Sequence, residues 1–319
     1  MRRNALPFLA IGIALTVGCS VRSPLEAPDS ELRFELAEES ARLYVERSAR
    51  LLSTSYALRI AGAPLCAEKV GPILGLATWR SNPLFGRLFF DALERLYSID
   101  AGGLSVVAVA PGSPADRAGI GVGDQILRVG HHEVSSDAEL FDRARHFQGG
   151  PIPITVLRQT GETTVLVAPL SACAQRASME MGDLMLSDRT RRNQFYVTTG
   201  FIRFASTDAE LALVVAHEIA HQLAERPLGG GPQPEVLADQ LGLYLVARAG
   251  YDISIAPGFW DRVALEQPWS LSEDVDQYGW TRVPPHGHMA SRAVAIRLAV
   301  AEIQAKIADG QPLLLEGGR

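Results

Sequence analysis

The segment His217-Glu218-Ile219-Ala220-His221 holds two imidazoles four residues apart with a carboxylate beside the first. On a helix, residues four apart share a face, so both rings can reach one metal ion. Glu218 is then positioned to take a proton from an attacking water. Imidazole nitrogen and carboxylate oxygen suit zinc, and a catalytic zinc takes three protein ligands with one position left for water. Glu235 and Asp239, in Glu235-Val236-Leu237-Ala238-Asp239, again stand four apart. We assign Glu235 as the third ligand and Asp239 as an acceptor that orients a liganding histidine, with one Zn2+ per chain. Two neutral imidazoles and one carboxylate leave a site charge of about +1, so the ion remains a Lewis acid.

These side chains need two helices to carry them. Thr207-Asp208-Ala209-Glu210 has capping-box spacing and precedes the apolar run Leu211 to Ala216, which starts a helix near Thr207. The breaker Pro227-Leu228-Gly229-Gly230-Gly231-Pro232 separates it from a second helix beginning near Pro234. Far upstream, Leu32, Phe34, Leu36, Ala41, Leu43, Tyr44, Ala49 and Leu52 recur at helical spacing, predicting a long amphipathic helix from Ser30 to about Ile60. From Gly103 the pattern changes to short alternating runs. Leu104 to Ala110 and Ile126 to Val129 read as strands, Ala138 to Phe147 as a helix, and Ile152 to Val167, broken at Gly161, as a hairpin. His131-His132-Glu133 reads as a solvated hairpin tip, because adjacent residues of a strand point to opposite faces and cannot share a metal.

The string from Ser113 to Val129, SPADRAGIGVGDQILRV, resembles the core of a PDZ domain of the bacterial protease type. That resemblance implies binding of peptide C-termini by strand addition, with Gly102-Gly103-Leu104-Ser105 as the candidate carboxylate loop and the groove either open or closed. HEIAH and EVLAD, with VTTGFIRFASTDAELALVV upstream and AGYDISIAPGFW downstream, resemble the gluzincin metallopeptidases of the HtpX and BepA type over about residues 180–300. The resemblance implies a zinc endopeptidase. It also implies a distal His-Pro-(four residues)-Arg motif, matched by His286 and Arg292 with Gly287 in place of the proline and His288 close by. His286 is expected as a switch or oxyanion stabiliser, and Arg292 as a second candidate for holding the oxyanion.

Arg2 and Arg3 precede an uncharged apolar stretch from Ala5 to Val17, the layout of a secretory signal. Its end, Thr16-Val17-Gly18-Cys19, resembles a bacterial lipobox, which implies cleavage before a lipidated Cys19; the alternatives are an ordinary cleaved signal or an uncleaved anchor. Ser20 after the cysteine resembles outer-membrane sorting, so the expected location is the periplasmic face of that membrane, reached through the lipid anchor only. Loss of residues 1–18 removes two arginines and no acids, taking the net charge from −6 to −8. Neither value suits a nucleic-acid binder. In an oxidising compartment Cys66 and Cys173 can pair as a disulfide; buried free thiols are the alternative.

The expected architecture is α+β: a mainly helical gluzincin metallopeptidase domain with a small sheet, plus an inserted β-rich PDZ domain. In order, we expect a lipoprotein signal peptide (1–18), a tether (19–29), an N-terminal helix packing on the peptidase domain (30–66), a connecting segment (67–97), the PDZ domain (98–172) and the zinc metallopeptidase domain (173–319). The expected substrates are unfolded or misassembled envelope proteins, in protein quality control. The alternative is a chaperone-like PDZ binding protein whose protease site is latent or silent.

Overall fold

The computed structural model describes residues 30–66, 68–81, 85–147, 150–184, 186–187, 193–223, 233–267 and 289–314. Cys19, with the signal peptide and tether, and His286, with Gly287 and His288, lie outside the described residues.

The amphipathic pattern after Ser30 folds as one helix, α1 (Ser30–Ala61). At about 1.5 Å per residue it is long enough to span two packing units. Its Ala41, Tyr44 and Val45 pack with Trp79, Leu93 and Val107, whereas Leu51 and Leu58 belong to the core of the helical body. The helix expected to pack on the peptidase domain packs on the helical body and on the inserted module as well.

Two short strands, β1 (Val70–Ile73) and β8 (Leu170–Cys173), form an antiparallel ladder in the register Val70↔Cys173 to Ile73↔Leu170. Everything between them leaves and returns through this neck. Cys66 and Cys173 form a disulfide there, with Cα atoms 5.5 Å apart. The inserted module is a mainly antiparallel sheet. Its strands are β2 (Leu76–Trp79), β3 (Leu104–Val109), β4 (Gln125–Val129), β5 (His132–Glu133), β6 (Ile152–Arg158) and β7 (Gly161–Val167), in the order β2-β3-β4-β6-β7 with β5 beside β4. Two helices cover it, α3 (Pro114–Arg117) and α4 (Asp137–Ala144), each capped by a serine hydroxyl, Ser113 and Ser136. His131, His132 and Glu133 are exposed around the β4–β5 turn.

The first strand of this sheet lies within the segment expected as a connector. β2 is separated from β3 by helix α2 (Arg87–Tyr97), so the pair carries no hairpin turn for sequence reading to detect. Gly75, just before β2, sits at φ +76, and a Cβ there would lie 2.2 Å from that of Ser113, which leaves glycine as the residue that fits.

The helical body begins with β9 (Arg176–Glu180), which pairs in parallel with β11 (Gln194–Thr198); β10 (Leu186–Ser187) pairs on the other side of β11. Then follow α5 (Thr199–Phe204), α6 (Asp208–Leu223), α7 (Gln233–Arg248), α8 (Ala256–Glu266) and α9 (Met289–Ala308). Leu211 to Ala216 of α6 are all buried at the centre of this body, where α6 packs against α7, α1 and α8. No helix among the described residues is long and apolar enough to cross a membrane.

Candidate metal centre

The start of α6 fixes the frame. Thr207 Oγ1 accepts from the Glu210 amide as the capping box requires, but the Glu210 carboxylate reaches back to the amide and hydroxyl of Ser206 instead of to Thr207. Arg262 of α8 donates to the same carboxylate at 2.7 Å. Together these hydrogen bonds, led by Arg262, hold Glu210 down at about 2 and tie α6 to α8.

Two and a half turns later His217 and His221 share a face, as their spacing predicts. The His217 Nε2 and His221 Nε2 atoms are 3.0 Å apart. From α7, Glu235 places Oε2 3.4 Å from the His217 nitrogen and Oε1 3.4 Å from that of His221. Among the described residues, His217, His221 and Glu235 form the one group of three whose donor atoms all lie close enough to hold a metal. Ligands about 2.0–2.1 Å from a tetrahedral zinc lie about 3.3–3.4 Å from one another. The observed triangle therefore fits three corners of a zinc tetrahedron. His217 is buried, while His221 and Glu235 keep 21% and 14% side-chain exposure. Glu218 is 2% exposed beside them.

The far side of His217 is built by Asp239. Its Oδ1 lies 2.9 Å from His217 Nδ1. An ionised carboxylate only accepts, so Nδ1 carries the hydrogen and Nε2 keeps its lone pair for a metal. Burial pushes the His217 imidazolium down, but Asp239 and Glu235 outweigh it and hold the group at about 9; proton and metal compete for the same nitrogen. Burial also opposes the charge of Asp239, and Arg292 and His217 overcome that opposition to hold it below the usual carboxylate range.

Arg292, on α9, takes a different role from the one expected. It is 0% exposed, and its Nε and Nη2 donate to the two Asp239 oxygens at 2.7 and 2.8 Å while Nη1 stands 3.5 Å from Glu235 Oε2. The guanidinium lies 5.0 Å from the Trp260 ring centroid, and Trp260 in turn stands 5.6 Å from the His217 ring. A fork locked on both Asp239 oxygens makes Arg292 a positioning residue for the ligands.

Gly242 was not singled out by its spacing. A Cβ there would come within 3.2–3.3 Å of the backbone of Ala216 and His217, so its absence lets α7 lie against α6 at the level of the first histidine. Gly242 is three residues after Asp239, on the same face; that offset is the signal that was present.

The carboxylate loop expected at Gly102-Gly103-Leu104-Ser105 is corrected by the pairing. Ser105 is opposed by Trp79 on one side and Gln125 on the other, so β3 is an internal strand with no edge to offer. The Gly102 amide is spent on Asp100, and so is the Ser105 hydroxyl. Among the described residues, the edge beside α4 that pairs with no strand belongs to β2.

The sheet with its two capped helices makes residues around this groove a PDZ domain, joined at the disulfide-bonded neck to a helical body that carries a two-histidine, one-carboxylate cluster. The PDZ domain family profile matches residues 74–168. Among solved structures, the chain is similar to the HtrA3 PDZ domain bound to a phage-derived ligand, at 24% identity over 32% of this chain and 88% of that one, with a TM-score of 0.26. It is also similar to the HtrA-type protease AlgW with decapeptide (24% identity, 31% of this chain, 29% of that one, TM-score 0.26). A serine endoprotease from Yersinia pestis matches at 24% identity, over 32% of this chain and 30% of that one, with a TM-score of 0.24. The chain thus spans under a third of each of these two proteases. No curated protein matches it.

Proposed function

We propose that this chain is a zinc-dependent metalloendopeptidase of the gluzincin kind that cleaves misfolded or unassembled envelope proteins. The observation that carries the reading is the triangle of His217, His221 and Glu235 donor atoms at 3.0–3.4 Å, the spacing of three corners of a zinc tetrahedron. Zinc held by these three residues supplies Lewis acidity toward the scissile carbonyl. Glu218 takes a proton from the attacking water as its oxygen bonds to the carbonyl carbon. It then hands that proton to the amine nitrogen as the carbon–nitrogen bond breaks, so no covalent acyl-enzyme forms. Asp239 keeps the His217 ring in its metal-binding tautomer, and Arg292 holds Asp239. His286 is kept as the candidate oxyanion stabiliser or switch on the resemblance alone.

The free edge of β2 beside α4 supports a PDZ domain that adds a substrate chain end as a strand. Cys19 is the proposed lipid attachment point, which would hold the enzyme at the periplasmic face of the outer membrane. The reading is tested by incubating purified protein with a disordered substrate such as casein, with and without a zinc chelator, beside Glu218→Gln. The expected result is cleavage that the chelator and the substitution both abolish. Cleavage by Glu218→Gln at the normal rate refutes the mechanism, and the absence of any chelator-sensitive cleavage turns the conclusion to the chaperone-like binding protein.

A further inference from the structure

The seam between the PDZ domain and the helical body encloses a cavity of about 200 Å³. A water needs roughly 10–15 Å³ of such space, so this one has room for a short piece of chain. One wall is Gly75 to Thr78, the start of the sheet's end strand β2; the other comes from α1 and β9. On the α1 wall stands Arg59, 6% exposed, with its Nε donating to the Cys173 carbonyl at 2.8 Å. No carboxylate among the described residues pairs with it. The other cation on the cavity, Arg176, uses up the one acidic neighbour: its Nη1 lies 2.9 Å from Asp137 Oδ2, and its guanidinium stacks 3.8 Å from the Phe141 ring centroid. Burial first, and the repulsion of Arg176 second, pull Arg59 down to about 9. Among the described residues that line it, the cavity thus has one more cation than it has anions, an arrangement that is costly unless an anion joins it.

We propose that this seam is a carboxylate site in which an extended peptide adds to the free edge of β2 and its terminal carboxylate is received by Arg59, so that the helical body completes the PDZ domain's groove. The inference rests on the reading of the PDZ domain as the holder of chain ends, and names the group that recognises the end. A side-chain carboxylate or a small acid shares the charge, but only a chain terminus offers the charge and the strand together. A bound chain end would also bridge β2 and α1, tightening the seam between the two units.

The test uses the full chain and three probes: acetyl-Ser-Ala-Leu-Ala-Val with a free terminal carboxylate, the same peptide amidated, and acetate. Binding is followed by calorimetry and by the shift in Tm. The free acid is expected to bind at least tenfold more tightly than the amide and to raise Tm, with acetate giving no comparable shift. Arg59→Met should bring acid and amide level without lowering Tm in the absence of peptide, because it exchanges an uncompensated buried cation for an apolar chain. Ser55→Asp offers a second variant, placing a carboxylate one turn before Arg59 on the cavity wall; it should likewise erase the acid preference. If either variant folds and keeps the tenfold preference, the inference is overturned while the PDZ reading stands. If acetate matches the free acid, the site is a small-anion pocket and the chain-end assignment is wrong. If neither peptide binds the wild-type chain, the reading of the PDZ domain as a holder of chain ends fails, and the inference fails with it.

Discussion

Replacing Asp239 by Asn keeps the shape of the side chain and removes the charge that organises the centre. Asp239 is 3% exposed and takes three hydrogen bonds, one from His217 at 2.9 Å and two from Arg292 at 2.7 and 2.8 Å. Removing one partner of a buried ion pair costs about 3–5 kcal/mol, mostly because the other charge is left buried alone. Losing the carboxylate behind a metal-binding histidine costs about 10–100-fold in metal affinity, or about 1.4–2.8 kcal/mol. Asp239→Asn should therefore lower stability by about 3 kcal/mol in urea denaturation with a chelator present, and weaken zinc tenfold or more in competition with a chromophoric chelator. The double variant Asp239→Asn with Arg292→Met removes the stranded cation as well. It should be less destabilised than the sum of the two single variants by about 2 kcal/mol. Strictly additive losses, or zinc affinity in Asp239→Asn within twofold of wild type, would refute the network.

Gly242→Ala gains about 1 kcal/mol of helix propensity and meets the α6 backbone at 3.2–3.3 Å, an overpacking cost of about 1–3 kcal/mol. Tm should move little while zinc affinity falls, because the helices part exactly where Glu235 must face His217; unchanged affinity would show that the close approach does not position the site. Glu210 is held at about 2 in the fold against 4.5 ordinarily, so its stabilisation is fully present above about pH 4.5 and is lost as pH falls toward 2. After allowance for the half-exposed Arg262, Glu210→Gln should cost about 2 kcal/mol at pH 7. The gap to wild type should close between pH 4.5 and 2; a gap that stays constant with pH removes the charged hydrogen bonds from the account.

What the sequence made legible was local. Two histidines at i and i+4, a cap at Thr207 and a second i, i+4 pair at Glu235 and Asp239 fix which faces of α6 and α7 carry the site, because a helix repeats every 3.6 residues whatever surrounds it. Alternation gave β3, β4, β6 and β7 for the same kind of reason. The misreadings were of partners distant along the chain. Arg292 stands 53 residues from Asp239, and nothing in its own neighbourhood distinguishes a buried clamp from an oxyanion donor. β2 pairs with β3 across an intervening helix, so the PDZ sheet begins earlier than its turns reveal, and the groove edge moved from Gly102–Ser105 to Leu76–Trp79 with it. Arg59, on the otherwise ordinary polar pattern of α1, becomes distinctive only when the fold buries it beside β2.

The central claim is that His217, His221 and Glu235 hold one zinc ion. Its most direct test is the metal content and zinc K-edge X-ray absorption of the purified chain, compared with His221→Ala and Glu235→Ala. The account predicts one zinc per chain with two imidazole nitrogens and a carboxylate oxygen at about 2.0–2.2 Å, and loss of that signal in both variants. No stoichiometric zinc in the wild-type chain, or a zinc whose ligation is unchanged by either substitution, would contradict it.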